Sequence, residues 1–412
     1  MGPPAEVLGR IPAEWEPMQA VWLGAVPGRP EWMDFTAALA RTLTPHVPVK
    51  LLVATEDAAA KTLEGLRERN VATETIPVLV HPHGGFFVRD RVLFMAGADG
   101  RVGVVGLGWN TYGFADWCTR HLYPDEPERA RPYTDLAAQD DGGLARVIAE
   151  QLDGPVAPAA IVMEGGGIEV NGNGVLLVTE SVAFQRNRGR DRSDLERALL
   201  ALPGITKVIW LAEGLAEDPH MKNTITDDYV AFGAGGHVDE FVRFADPRTI
   251  LLAWVEDSEV DAHPLNAINR GRMQDNYARL TRSTDEEGRP FRIVKVPLPR
   301  VIEREEVLPE RTEDELGFSE ASFPTREGRR AGDRVSRVAA ASYLNYLVVN
   351  SQLVLPTYVE DGTPPAVEER VCEIFAEVFP ARTQHLVRAT ELNWGGGGIH
   401  CATNAEPAGS RA

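Results

Sequence analysis

Two short apolar strands, an amphipathic helix and a closing strand follow one another in an order that returns five times along the chain, and few architectures accommodate it. The clearest copy opens at Gly167-Ile-Glu-Val170, turns on Asn171-Gly-Asn-Gly174 and returns along Val175-Leu-Leu-Val-Thr179. An Asn-Gly pair accepts the positive φ angles that a two-residue hairpin turn requires, so this segment predicts a hairpin. A helix is expected from Ser193 to Leu202, its start marked by the Ser193–Glu196 spacing of a capping box. Lys207-Val-Ile-Trp-Leu-Ala212 is the closing strand.

The other copies keep this order. His237 to Phe244 turns at Asp246-Pro-Arg248 into Thr249 to Val255, before a helix near Leu265 to Leu280 and a strand from Arg292 to Val296. Tyr343 to Val349 turns into Gln352 to Leu355, then comes a helix near Ala366 to Phe379 and a strand from Gln384 to Val387. Val92 to Met95 and Val102 to Val105 flank Asp99-Gly100, followed by a helix near Gly143 to Leu152 and a strand from Ala160 to Met163. A partial first copy has a strand from Ala20 to Gly24, a helix from Glu31 to Leu43 and a strand from Val49 to Val53. Strands rich in Val, Ile and Leu alternating with amphipathic segments define the α/β class. Units stacked into a ring leave no exposed sheet edge. The expectation is therefore a five-bladed, pseudo-symmetric α/β propeller, with residues 1–412 as a single catalytic domain. Gly398 to Thr403 would complete the first blade, and the polar, aperiodic stretch from Pro299 to Arg334 reads as a surface loop.

Composition narrows the function. A chain of 412 residues, 43% of them hydrophobic, has a sizeable core to bury. Its net charge of −19 lacks the basic face that a nucleic-acid partner needs and suits a small cation. Met1 to Arg10 has no apolar core of a signal peptide, and no apolar run approaches the roughly 20 residues of a membrane span, so no membrane partner is expected. Three cysteines, Cys118, Cys372 and Cys401, make no disulfide framework, which points to the cytoplasm.

Four segments carry chemistry. In Trp394-Gly-Gly-Gly-Gly-Ile-His-Cys401 the glycines let backbone approach a ligand, and Cys401 follows as a candidate nucleophile. In Gly235-Gly-His-Val-Asp239, read as strand, the two-residue spacing sets His237 and Asp239 on one face. Arg89-Asp90 follows the segment Gly84-Gly-Phe-Phe87, and Glu164 closes a strand before three glycines. No Lys-Ser/Thr follows those glycines, so they do not form a phosphate loop. One Cys, one His and three carboxylates suit attack on a guanidinium carbon. Carboxylates grip the planar cation through paired hydrogen bonds and present its carbon face-on. A thiolate adds, an acid protonates the departing ammonia, and the same group then activates water; His237 is the candidate for both steps. Neighbouring carboxylates disfavour the Cys401 thiolate in the empty site, whereas a cationic substrate favours it. His81-Pro-His83 and His237-Val-Asp239 invite comparison with a dinuclear metal site, but the paired Asp-x-His-x-Asp clusters of such a site are missing from the sequence.

These residues recur with Ile11-Pro-Ala-Glu-Trp-Glu-Pro17, Trp109-Asn-Thr-Tyr-Gly113, Thr179-Glu180, Asn187-Arg188 and Ala341-Ser-Tyr-Leu-Asn345. From Ile11 to Pro407 the set resembles the agmatine deiminase and bacterial peptidylarginine deiminase family of the guanidino-group-modifying superfamily. The resemblance implies a five-bladed α/β propeller that uses no metal and no organic cofactor, and a homodimer. It implies Cys401 as nucleophile, His237 as general acid and base, Asp90 and Asp239 on the guanidinium, and Glu164 beside His237. Trp109, Trp394, Gly397 and Arg89 join Asp90 and Asp239 as substrate-binding candidates. The implied reaction converts agmatine to N-carbamoylputrescine and ammonia. The alternatives are deimination of an arginine-containing peptide and amidino transfer to an amine. Arg91-Val-Leu93 stands where the family usually has Gly-Pro after its Arg-Asp, and the tail after Cys401 also differs.

Overall fold

The first and last strands of the chain lie side by side. Met18–Gly24 pairs antiparallel with Thr403–Pro407, Trp22 opposite Asn404, and parallel with Val49–Val53 beyond the helix Pro30–Leu43. This computed structural model describes residues 9–82, 84–132, 143–310 and 317–409. The same internal order holds in four further sheets. Leu93–Ala96 pairs antiparallel with Val102–Gly108, which is parallel to Val156–Val162. Ile168–Val170, Val175–Thr179 and Lys207–Leu211 repeat that order. So do Val242–Asp246, Thr249–Trp254 and Arg292–Pro297, and then Leu347–Val349, Gln352–Thr357 and Thr383–Arg388.

The central strand of each unit is apolar because both its faces are covered. All of Val175–Thr179 and of Thr249–Trp254 is buried, the pattern of a strand between a helix layer and the molecular interior. The helix Pro365–Val378 begins with proline in its first turn and buries Val371, Ile374 and Phe375 against its sheet, one stripe of an amphipathic helix. Among the described residues the result is a mixed α/β fold of six sheets.

The sixth sheet revises the reading of 299–334 as a loop. Glu303–Val307 is a strand, paired antiparallel with Arg334–Val338. The latter runs parallel to Tyr229–Ala234, and His220–Thr226 lies on the far side of Tyr229–Ala234. Glu303–Val307 is an edge strand with four charged residues and one valine, all exposed except half-buried Glu306, so it shows no apolar alternation to read. Beneath the sheet Val230, Leu308, Phe318, Phe323 and Val335 form a small core, while 311–316 lie outside the described residues.

Several boundaries also move. His237 to Phe244 is not one strand: a 3-10 turn occupies Val238–Glu240, and the strand starts at Val242. Tyr343 to Asn345 is likewise a turn, and the closing strand of the first unit begins at Thr403 rather than Gly398. The helix after the Asn-Gly hairpin spans Arg192–Leu200 and is capped by Asp191, whose carboxylate accepts from the Asp194 amide at 2.9 Å. Ser193 Oγ donates to that carboxylate instead of capping, because Asp191 already occupies the first exposed amides.

Each unit thus has a turn immediately before its outer strand. The turn at Gly165–Gly167 contacts both Val88–Arg91 and Val238–Glu240, and the last strand of the chain contacts Val88–Arg91.

Candidate active site

The converging turns surround a cavity of about 350 Å³. Asp90, His237, Glu240 and Cys401 face into it, below walls formed by Trp32, Phe87, Trp109 and Tyr112. Close approach of the turns depends on glycine at two positions. A Cβ on Gly166 would stand 2.9 Å from Asp90 Oδ1, Asp239 Oδ2 and His237 Nδ1, so only glycine lets these three groups meet. A Cβ on Gly397 would stand 2.7 Å from Phe87 Cε1 and 3.1 Å from the Cys401 Cβ.

Asp90 accepts from the Gly166 amide at 3.0 Å and from the Tyr112 hydroxyl at 2.9 Å, and its Oδ1 is 3.7 Å from His237 Nδ1. On the other side of the ring, His237 Nε2 is 3.1 Å from Glu164 Oε2. Glu164 is fully buried and is held in turn by Arg186 Nε at 2.8 Å. The His237 backbone is fixed by Asp218, which collects the amides of Ala234, Gly235, Gly236 and His237. Cys401 Sγ lies 3.6 Å from Asp239 Oδ2 and 3.7 Å from Glu240 Oε1, with Asn345 Nδ2 at 3.2 Å.

Charge sets the proton inventory. Burial opposes a proton charge on His237, but Asp90, Glu164 and Asp239 outweigh it and push the imidazole up to about 9. Burial, helped by Asp239 and Glu164, raises Asp90 to about 6 against the attraction of His237. Burial works against ionised Glu164 too, yet Arg186 and His237 bring it down to about 2. The Cys401 thiol is pushed well above its ordinary value, by burial first and then by Asp239, Glu240 and Asp90. These shifts favour a protonated imidazole at His237 and a protonated thiol at Cys401.

The residues singled out from sequence fall into two groups. Asp90, His237, Cys401 and Trp109 line the cavity, and the Arg91 guanidinium packs 4.1 Å over the Trp109 ring. Asp239 and Glu164 stand one layer behind the lining, in contact with Cys401 and His237. Arg89 points away from the cavity: Nη1 pairs with Glu14 at 2.6 Å and Nε donates to the Thr403 carbonyl at 3.1 Å. Trp394 packs under the Arg304 guanidinium at 4.3 Å, and Gly395 and Gly396 rather than Gly397 border the cavity.

Glu240, Asn345, Tyr112, Asp218 and Arg186 carry no site assignment in the sequence reading, yet all of them bind or face the central groups. Glu240 is hidden by the strand assumption, since strand alternation turns it away from Asp239. In the 3-10 turn both side chains reach the thiol. Asp239, Glu240 and Cys401 each offer a ligand atom, all within 4.8 Å, and among the described residues they are the one Cys–Asp–Glu group able to hold a metal. Loading it would require removing the thiol proton that these same carboxylates retain. His83 lies outside the described residues. Among the described residues no helix is long and apolar enough to cross a membrane.

The sequence model described as "Porphyromonas-type peptidyl-arginine deiminase" matches residues 10–407. The agmatine deiminase of Stutzerimonas stutzeri (strain A1501) is 30% identical over 413 residues, covering 97% of this chain and 95% of that one. The agmatine deiminase of Ectopseudomonas mendocina (strain ymp) is also 30% identical, over 414 residues, with 97% and 95% covered. Among solved structures, agmatine deiminase of Enterococcus faecalis shares the fold with a TM-score of 0.73, at 24% identity and covering 99% of this chain and 98% of that one. Matched over almost its whole length by the family model and by these relatives, the chain belongs to the Porphyromonas-type peptidyl-arginine deiminase family.

Proposed function

We propose that this protein hydrolyses the guanidino group of agmatine, giving N-carbamoylputrescine and ammonia. The observation that carries the reading is the meeting of a thiol, an imidazole and acids around one aromatic-walled cavity. The agmatine deiminase relatives support the choice of substrate.

Binding of the cation offsets the carboxylates around Cys401 and releases the thiol proton to solvent. The thiolate forms an S–C bond to the guanidinium carbon, giving a neutral tetrahedral adduct. His237 passes its proton to one amino group, the C–N bond breaks, and ammonia leaves behind a positively charged thiouronium on Cys401. Neutral His237 then takes a proton from water as the hydroxide adds to the same carbon. Collapse expels the thiolate, and the proton left on the ureido group passes to ammonia. The Asp90–His237–Glu164 line holds the imidazole between two carboxylates through both steps.

The reading extends to the whole fold: the five units stand around a central axis as blades, with the cavity at the axis. Pairing of the first and last strands and the contacts of Gly165–Gly167 with the turns on either side support that arrangement. Three free cysteines support the cytoplasm as the compartment. The family description favours one second reading, deimination of an arginine-containing peptide. The deciding assay supplies agmatine, free arginine and an arginine peptide, with a chelator present, and measures ammonia and ureido product. Agmatine turnover that vanishes in Cys401→Ala is expected; turnover of the peptide instead would select the second reading. Turnover only when an acceptor amine is present would replace hydrolysis with amidino transfer.

A further inference from the structure

Tyr112 reaches Asp90 from a stretch of backbone that side-chain-bearing residues rarely adopt. Thr111, Tyr112 and Gly113 have φ angles of 55°, 57° and 71°, three left-handed residues in succession, the first of them β-branched. Such a conformation is costly for any residue but glycine and persists where the surrounding structure holds it. Here its neighbours do so. Asn110 Oδ1 accepts from the Gly113 amide at 2.8 Å, and Asn110 Nδ2 donates to the Arg186 carbonyl at 3.2 Å. Gln185 packs so closely under Gly113 that a Cβ there would stand 2.2 Å from its Nε2. His220 Nε2 is 2.6 Å from the Tyr112 carbonyl oxygen. Burial, with Arg186 nearby, lowers His220 to about 3, so the ring is neutral and its Nε2–H donates to that carbonyl. His220 begins the strand His220–Thr226, so the sixth sheet fastens this turn to the cavity wall.

What the strained turn delivers is one hydroxyl. Tyr112 lines the cavity, and its phenol donates to Asp90 Oδ2 at 2.9 Å. The Gly166 amide donates to Oδ1, the oxygen nearer His237, at 3.0 Å. Both oxygens of Asp90 are thereby tied to donors on two other segments, which fixes the plane of the carboxylate. A carboxylate grips a planar cation in its own plane, so that angle decides whether paired hydrogen bonds form. Burial is the largest influence on Asp90 and opposes its charge, as do Asp239 and Glu164, while His237 and the Gly166 amide favour it. Glu240 and Cys401 also face it, and on its own turn Arg89 pairs with Glu14 and Arg91 packs over Trp109. We propose that Tyr112 is a positioning residue for the reaction, its hydroxyl holding Asp90 ionised and turned towards the guanidinium, and that the left-handed Thr111–Gly113 turn is the device that places it. This rests on the guanidino reading above and on Asp90 as a grip within it. Burial, then Asp90 and Glu164, keep the phenol protonated, as a donor must be.

Tyr112→Phe removes the hydroxyl and keeps the ring. Losing a donor to the ionised form raises the proton affinity of Asp90, by about one pH unit on the scale of a charged hydrogen bond. The acid limb of kcat/KM for agmatine is therefore expected to move up by that amount from about 6, while the alkaline limb stays at about 9. Such a shift costs about five-fold at the old midpoint and little two units above it. A uniform loss at every pH with both limbs in place, or a shift of both limbs together, overturns the proposal. The same limb is read without turnover by calorimetric binding of agmatine to Cys401→Ala across the acid range, with and without Tyr112→Phe. If Tyr112→Phe fails to fold, as judged by its thermal melt, His220→Leu decides, because it frees the Tyr112 carbonyl and leaves the phenol in place. An acid limb moved upward in that variant supports the proposal, and an unmoved limb overturns it. Wild-type enzyme that binds agmatine but releases no ammonia defeats the deiminase reading, while the binding profile still decides the role of Tyr112. Should agmatine not bind, an arginine peptide replaces it as the probe, and failure of both to bind overturns both readings.

Discussion

At the scale of single residues, the site is a set of acids whose proton affinities are pushed apart. On the proposed mechanism Asp90, raised to about 6, is ionised to hold a cation, and His237, raised to about 9, is protonated to release ammonia. The value of kcat/KM is therefore expected to rise with pH through about 6 and to fall through about 9, a bell whose limbs belong to the coupled set. A profile still rising at pH 10 would remove His237 as the acid. Glu164→Gln removes one of the charges that raise His237, so the alkaline limb should move to lower pH. The sign for stability follows from the same values. His237 has its proton affinity raised by folding, so its contribution is complete below its unfolded pKa near 6.5 and is lost as pH climbs through about 9. Asp90, also raised, favours the fold below about 3.8, and that contribution is lost as pH rises through about 6.

At the scale of elements, the turn before each outer strand decides what the strands can present. Gly165–Gly167 brings Asp90, Asp239 and His237 within contact of one backbone. Gly166→Ala should separate them, and a displacement of about 1 Å costs on the order of 100-fold in rate. Steady-state kinetics of Gly166→Ala with near wild-type kcat would refute that role. Asp218 shapes the turn that carries His237 by accepting four backbone amides. Asp218→Ala leaves those donors unpaired, so unfolding by denaturant should show a loss of about 2 kcal/mol or more together with a lower kcat. The elements themselves were largely legible. Apolar periodicity places a helix at Glu31–Leu43, and the structure has Pro30–Leu43; the Asn-Gly hairpin likewise lies where its turn residues put it. His237 to Asp239 was misread because 3-10 turns leave no period in hydrophobicity, and Glu303–Val307 because an exposed edge strand has no apolar face.

At the scale of the whole molecule, an N-terminal residue ties distant units together. Glu14 meets Arg89 at 2.6 Å, Arg243 at 2.5 Å and His400 at 2.6 Å, three residues from three different units. Arg243 reaches Glu169 as well, at 3.1 Å. Glu14→Gln should leave buried guanidinium charge undercompensated, at a cost of about 3 kcal/mol in chemical denaturation, and should lower kcat by loosening His400 behind the thiol. Equal stability in the variant would show that Glu169 and Asp239 suffice as counter-charges. By itself the sequence determined the α/β class, the recurrent unit, the glycine-led segments and the choice of Cys401, His237 and Asp90 as candidates, which the structure places at one cavity. Those depend on local preference and residue chemistry, which a linear reading contains. Only the tertiary structure decided that Arg89 turns away to Glu14, that Glu240 rather than Asp239 borders the cavity, and that the 299–334 stretch contributes a strand to a sixth sheet. Side-chain direction in a turn, and the partners of an edge strand, depend on what the rest of the chain packs against them.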